Sequence, residues 1–430
     1  MLPTPNTVNV RYFSSQKLFG GLGNRLKDLE SVFSGIKVRI NKGKRRKPKK
    51  NSGKDHGFQF LASKLCGHKS VYRLTGSKTP KVLRKKGILF PEKSTHYDNV
   101  ENIELESVIK TNSVFLKKFF VFREQVDTFL DLTTSLLEGN YEGKKNGYTG
   151  RNMKGEPVTG ECHQTASVSL LGFKQNLFDL RLPGNYTGLS NPALLGDTKL
   201  CGLNFDQKVC YYLVEKSHKL LPGITFFWHF DRGFNEFEFW FYLKEIGDDF
   251  ITPLDSNAEC VKQEQRLIDL GSIVLQKSID FDYHETILKL PNTLEVKAVY
   301  IKPRNEKIHS YWLITTKTKM KGVEVKKEYN KRSGDEPLYD YLKNDYNLKK
   351  PCKKSFQGAQ VYTALICLIQ NIISWLSQTI FGCYFRLQTL TSSLLEFFLL
   401  EKIFDPKNEN ESIPPDKPDS REAGKNTKKS

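Results

Sequence analysis

The chain has 430 residues, 38% of them hydrophobic and 27% charged, which is enough apolar material for a packed core and excludes wholesale disorder. Lys and Arg number 67 against 48 Asp and Glu, a formal charge of +19, so the natural counterpart is nucleic acid or an anionic membrane rather than a cationic partner. Eight cysteines without a CxxC pair exclude a disulfide scaffold and leave a zinc ribbon without ligands; they read as reduced and mostly buried. The opening MLPTPNTVNV has no basic run followed by an apolar one, so no secretory signal is expected and the chain is expected in the cytoplasm.

Residues 1–57 read as a basic, partly disordered leader. Its densest part is KGKRRKPKK at 42–50, where Lys44, Arg45, Arg46, Lys47, Lys49 and Lys50 are candidates for non-specific contact with DNA phosphates. The same block also reads as a solvated basic linker. Residues 58–124 mix Leu, Val and Phe with basic residues and are expected to be mostly helical, either a DNA-binding region or a helical packing domain. From 125 onward the texture changes. VDTFLDLTTSLLEG, ECHQTASVSLLGF, QNLFDLRLPG, ITFFWHFDRGF and DFITPL are short β-prone runs punctuated by Gly, Asn and Asp, while FEFWFYLKEIG reads as a helix between two of them. Strands alternating with helical pattern indicate a mixed α/β sheet, and the stretch 258–315 reads as an all-β insertion. Residues 355–385 carry no charge and are apolar enough for a membrane span. Gln370, Asn371, Ser374, Ser377, Gln378 and Thr379 would be costly against lipid, so a buried helix pair is the favoured reading. The tail 406–430 is expected to be disordered.

Acidic residues are the minority, and two of them stand beside apolar strands. Asp131 follows Val, Phe and Leu in VDTFLD, and Asp231 closes ITFFWHFD before Arg232-Gly233. A carboxylate at the carboxyl end of a strand sits where open α/β sheets bind ligands, although a turn Asp satisfying local N–H groups has the same appearance. A third segment, YNKRSGDEPLYDYLK, places Tyr329, Arg332, Glu336 and Lys343 within about 60° of one another on a helix turning about 100° per residue. Phenol, guanidinium, carboxylate and ammonium on one face suit phosphate handling, with Arg forking onto phosphate oxygens and Glu holding a metal. The same face also reads as solvated i,i+3 and i,i+4 pairing. A helix starting near Pro337 would put Glu336 at its mouth and leave Tyr329 and Arg332 off the shared face.

These spacings resemble a known pattern. Tyr329-x2-Arg332-x3-Glu336-x6-Lys343 is similar to the Y-R-E-K signature of IS4-type DDE transposases. DLTTSLLEGNYEGKKNGYTGRN, opening on Asp131 and closing near Gly147-Tyr148, resembles the first-Asp block of the IS1634-like branch. LPGNYTG, HFDRGF and YWLITT resemble the Gly-Asn segment, the second-Asp block and the strand closing the β-insertion. The resemblance covers roughly 125–380. It implies an RNase H-like catalytic domain over 125–405 with the β-rich insertion at about 258–315. The implied catalytic and metal-holding carboxylates are Asp131, Asp231 and Glu336, with Tyr329, Arg332 and Lys343 on the DNA phosphates. Mg²⁺, or Mn²⁺ as substitute, is the implied cofactor, since three carboxylates can hold two such ions about 4 Å apart for in-line displacement at phosphorus. The implied partner is double-stranded DNA at element ends and target, bound by a homodimer in the nucleoid without a membrane. Asp98, Asp127 and Glu138 are rival first carboxylates. His229 reads either as a neighbour supporting the metal site or as a packed neutral histidine, and Trp240 and Trp312 either stack on bases or lie in the core. An inactive DNA-binding relative and a basic membrane-associated protein anchored through 355–385 are the other readings.

Overall fold

The computed structural model describes residues 29, 31–39, 52–65, 100–137, 139–151, 156–182, 205–231, 234, 236–254, 258–305, 308–334, 342, 346, 348 and 350–381. Strands β1 (Gln125–Leu136), β2 (Lys145–Arg151), β3 (Pro157–Leu170), β4 (Gln175–Leu182), β5 (Thr225–His229) and β6 (Asp249–Leu254) are followed by β7 (Gln276–Lys277), β8 (Phe281–Lys289), β9 (Glu295–Pro303) and β10 (Tyr311–Thr315). Helices α1 (Gly53–Leu65), α2 (Leu105–Phe119), α3 (Phe205–Leu220), α4 (Phe237–Glu245), α5 (Lys262–Asp269), α6 (Gly322–Asn330) and α7 (Phe356–Phe381) flank them.

All ten strands belong to one mixed sheet. β1, β3 and β4 are antiparallel neighbours, whereas β5 pairs parallel with β1 and β6 parallel with β5. The resulting order β4-β3-β1-β5-β6 is that of an RNase H-like core. β5, α4 and β6 form a βαβ unit, with the aromatic segment FEFWFYLKE helical between two strands as its sequence suggested. The strand-rich stretch 258–315 opens with the short helix α5. Its strands β7–β10 extend the same sheet beyond β6 in the order β6-β10-β9-β8-β7 instead of closing a separate unit.

β1 alternates as a strand covered differently on its two faces should. Val126, Thr128 and Leu130 point into the larger core, and Asp127, Phe129 and Asp131 share the opposite face. β5 is buried from Phe226 to His229, because both faces of a central parallel strand are covered. Asp248 pins its first half: one carboxylate accepts the Phe226 N–H at 2.8 Å, the Trp228 indole N–H at 2.7 Å and a His218 contact at 2.9 Å.

The apolar stretch near the carboxyl end forms one 26-residue helix, α7, rather than the expected pair. It is long and apolar enough to cross a membrane, yet 94% of its most apolar window is buried in the protein. Its polar residues are used. Asn371 donates to the Asn176 carbonyl at 2.6 Å and accepts the Asn176 N–H at 2.9 Å; Gln370 and Ser374 donate to the Lys174 carbonyl, and Gln378 to that of Phe173. They bind backbone groups of the β3–β4 turn and the start of β4. Thr363 on α7 accepts from the buried Arg181, whose other nitrogens reach His163 at 3.2 Å and the Leu348 carbonyl at 2.6 Å. Phe60 of α1 meets Tyr362 of α7, and Phe115 of α2 meets Trp375, so both helices share the core of the sheet.

Beside this network Asp179 is fully buried on β4, where burial pushes its carboxyl up to about 6 despite two 3.2 Å bonds from the Asn176 amide. The unfolded chain, with this carboxyl near 3.8, gives up the proton first as pH rises. The contribution of Asp179 to stability is therefore greatest below about pH 4 and is lost through about pH 6, a change of about 3 kcal/mol. Urea melts across this window should show that downward slope in the wild type and lose it in Asp179→Asn.

Candidate active site

The pairing of β1 with β5 builds the site. The strands run parallel in register from Gln125 opposite Thr225 to Phe129 opposite His229. Two residues further along, on the same face, come Asp131 within β1 and Asp231 just past the end of β5. The 100 residues separating them equal the register offset of the two strands. The Phe230 N–H bonds the Ile251 carbonyl at 2.9 Å, which keeps the chain against β6 up to Asp231. The chain then turns, with the Phe234 N–H on the Asp231 carbonyl. Asp231 thus stands at the carboxyl end of a parallel strand, where its sequence context put it, and its side chain is 52% exposed. Asp131 does not close a strand, because β1 continues to Leu136; it lies half-buried in the middle of one.

α6 lies across the same face. Gly322 at its start lets the backbone approach β8: a Cβ there would come within 2.7 Å of the Tyr283 ring. The freed space lets the Gly322 N–H donate to Glu285 at 2.6 Å, a carboxylate at a helix N-terminus. Val325 packs among Phe227, Ile251, Val299, Ile301 and Leu313, and the i+3 and i+4 residues Glu328 and Tyr329 follow on the same helix face. The α-helix ends at Asn330 and continues as a 3-10 turn, Lys331–Gly334. The expectation of one α-helical face carrying Tyr329 and Arg332 into Glu336 and Lys343 is therefore corrected, since the change of pitch falls between Tyr329 and Arg332. The two still meet, as the Arg332 guanidinium donates to the Tyr329 hydroxyl at 2.7 Å. It also forks onto Asp231 at 3.1 and 3.4 Å and lies over the Phe129 ring at 5.0 Å. Two of the four signature residues and one of the candidate carboxylates are in direct contact.

A second cluster adjoins the first, four residues before Asp131 on β1 and two before Asp231 on β5. Asp127 of β1, His229 of β5 and Glu328 of α6 bring one ligand atom each within 4.8 Å of one another. The Lys331 ammonium sits between the carboxylates, 2.8 Å from Asp127 and 2.5 Å from Glu328. Burial raises the Asp127 carboxyl, but the bond and charge of Lys331 outweigh it and hold it below its usual value, whereas burial leaves Glu328 above its own. Lys331 loses by desolvation and gains more from its two carboxylates, so its ammonium is held more firmly than usual. Burial pushes the His229 imidazole down to about 3, so the ring is neutral, as the packed-histidine reading had it. Asp127 was visible in the sequence as a rival first carboxylate. Glu328 and Lys331 were missed; the available signal was their i+3 and i+6 spacing from Val325 on a helix of unknown start.

Trp240 and Trp312 are buried and donate to the Phe234 carbonyl and Gln265, which makes them core residues and not stacking platforms. Gly147 and Tyr148 lie on β2, which pairs with β3 beside β1. Glu336, Lys343, Asp98, Glu138, the basic residues Lys44, Arg45, Arg46, Lys47, Lys49 and Lys50, the LPGNYTG segment past Leu182 and the tail 406–430 lie outside the described residues.

No family model and no curated protein matches the chain. Among solved structures, a piggyBac transposase synaptic complex with hairpin DNA is similar with a TM-score of 0.43 and 12% identity, over 89% of this chain and 80% of that one.

The Lys331 pairings generate a stability prediction. In the presence of a chelator, Lys331→Met should destabilise the protein by about 1 kcal/mol, because two partly buried carboxylates then face each other. Asp127→Asn in that background should restore most of the loss. A double-mutant cycle by denaturant melts gives the coupling, and additivity within about 0.3 kcal/mol would contradict the ion-pair geometry.

Proposed function

We propose that the chain is a DNA transposase of the DDE type, cutting element ends and joining the freed 3′-hydroxyl to target DNA, with Asp131, Asp231 and Glu336 as its carboxylates. The observation that supports this reading is the parallel register of β1 and β5, which sets Asp131 and Asp231 on one face of the sheet, with Arg332 of the third segment on Asp231 and Tyr329 on Arg332.

The donor set fits Mg²⁺, with Mn²⁺ as substitute: carboxylate oxygens only, one half-exposed and reachable from solvent. Asp131, Asp231 and Glu336 would hold it, and when bound it supplies the electrostatic stabilisation that displacement at phosphorus requires. The protein's own groups position the DNA. Arg332 presents a rigid fork that fits a phosphate as well as the Asp231 carboxylate it now holds, and Phe129 and Tyr329 restrict its swing. Arrival of a phosphodiester would move the guanidinium from Asp231 to the phosphate and free the carboxylate oxygens. Lys343 would add a second contact. The excess of positive charge, densest at 42–50, would bring double-stranded DNA to this face with a salt-sensitive, sequence-independent affinity. Two element ends must be handled together, so the working form would be a homodimer on DNA, acting on the nucleoid in the cytoplasm.

The test uses the coding sequence with its flanking genomic DNA as donor, purified full-length protein and Mg²⁺ or Mn²⁺. Strand cleavage at the element ends is expected, and Asp131→Asn, Asp231→Asn and Glu336→Gln should each reduce it by about 10³-fold or more while changing DNA affinity less than about threefold. Arg332→Ala should weaken both cleavage and binding. Salt-sensitive DNA binding without cleavage in either metal would instead identify an inactive DNA-binding relative.

A further inference from the structure

We propose a second cation site, separate from the three carboxylates of the transposase reading, in which Asp127, His229 and Glu328 hold one borderline divalent transition ion of the Zn²⁺ class. Three observations carry it. The donors come from β1, β5 and α6 and lie within 4.8 Å of one another, with His229 Nε2 3.7 Å from Glu328 Oε1. His229 is fully buried, and neither of its ring nitrogens has a hydrogen-bond partner. A buried imidazole in that state carries an uncompensated desolvation cost that coordination removes. Third, the position already accommodates a cation, since the Lys331 ammonium bridges the two carboxylates there.

The donor chemistry selects the ion. One imidazole nitrogen with two carboxylate oxygens suits Zn²⁺ or Co²⁺ and is a poor match for Mg²⁺, which prefers oxygen and retains its waters. Ligands at about 2.1 Å from a tetrahedral ion stand roughly 3.4 Å apart, so donors now within 4.8 Å of one another need to close by up to about 1.4 Å. Lys331 is half-exposed and can swing to solvent as the ion enters, leaving the fourth position to water. The ion would tie α6 to β1 and β5 directly beneath Tyr329 and Arg332. It would thus set where the Arg332 fork stands relative to Asp231, and this is a positioning role.

The experiment titrates chelator-stripped full-length protein with Co²⁺, read by visible absorption, and with Zn²⁺ by calorimetry, both in millimolar Mg²⁺. One equivalent of Co²⁺ with a tetrahedral spectrum is expected. Affinity should fall at least about tenfold in Glu328→Gln and in His229→Leu, stay within about twofold in Asp231→Asn, and rise about tenfold in Lys331→Met, where the competing ammonium is gone. If His229→Leu fails to fold, Glu328→Gln and Lys331→Met still decide, because misfolding cannot tighten a site. No saturable binding, or binding unmoved by Glu328→Gln and Lys331→Met, would overturn the site. Loss of Co²⁺ binding in Asp231→Asn would place the ion at the other carboxylates instead. Cleavage activity is not read in this test, so its failure and that of the transposase reading are separable.

Discussion

The parallel pairing of β1 with β5 is the constraint on which the rest of this molecule depends. A parallel pair cannot be made by a hairpin; it needs a crossover, and here the chain completes an antiparallel three-stranded unit and the helix α3 before returning beside β1. Once the register is set, every second residue of both strands is committed to one face. Asp127 and Asp131 on one strand then share a face with His229 and Asp231 on the other. A slip by one residue would bury these groups in the aromatic core of Phe226, Trp228 and Phe230, so hydrophobic burial enforces the polar constellation.

A polar anchor holds β5 as well. Asp248 sits at the opposite end of β5 and binds the backbone of Phe226 and the indole of Trp228, fixing the strand lengthwise. The far side of the sheet is held in a similar way by α7. Its Thr363, Gln370, Asn371 and Ser374 meet the β3–β4 turn, the start of β4 and the buried Arg181, while its apolar sides join the main core. The matched donors and acceptors of this network make the packing specific.

Each acidic cluster of the candidate site has a counterion from the same 3-10 turn: Asp231 carries Arg332, and Asp127 and Glu328 share Lys331. A short turn that carries both counterions couples them. Displacing one cation, by a phosphate or by a metal ion, changes the field felt at the other within a few ångströms. The general positive charge of the chain, +19 in all, acts at longer range and favours polyanionic partners.

Much of this was legible in the sequence because its signals are local. The β-prone runs punctuated by Gly and Asn became β1, β3, β4, β5 and β6, and the helical reading of the aromatic segment held because βαβ connection and burial on the sheet outweigh its aromatic content. Asp231 at a strand end and the three-residue spacing of Tyr329 and Arg332 were readable for the same reason. Which carboxylates meet was not readable, because it depends on a register between strands 100 residues apart. Nor was the end of α6 at Asn330, where the chain tightens into a 3-10 turn, nor the placement of Glu328 against His229. The apolar stretch at 355–385 shows the division most clearly. Composition determined that it would be a helix shielded from water, and only the turn and strand whose carbonyls bind its Asn and Gln side chains decided that protein does the shielding.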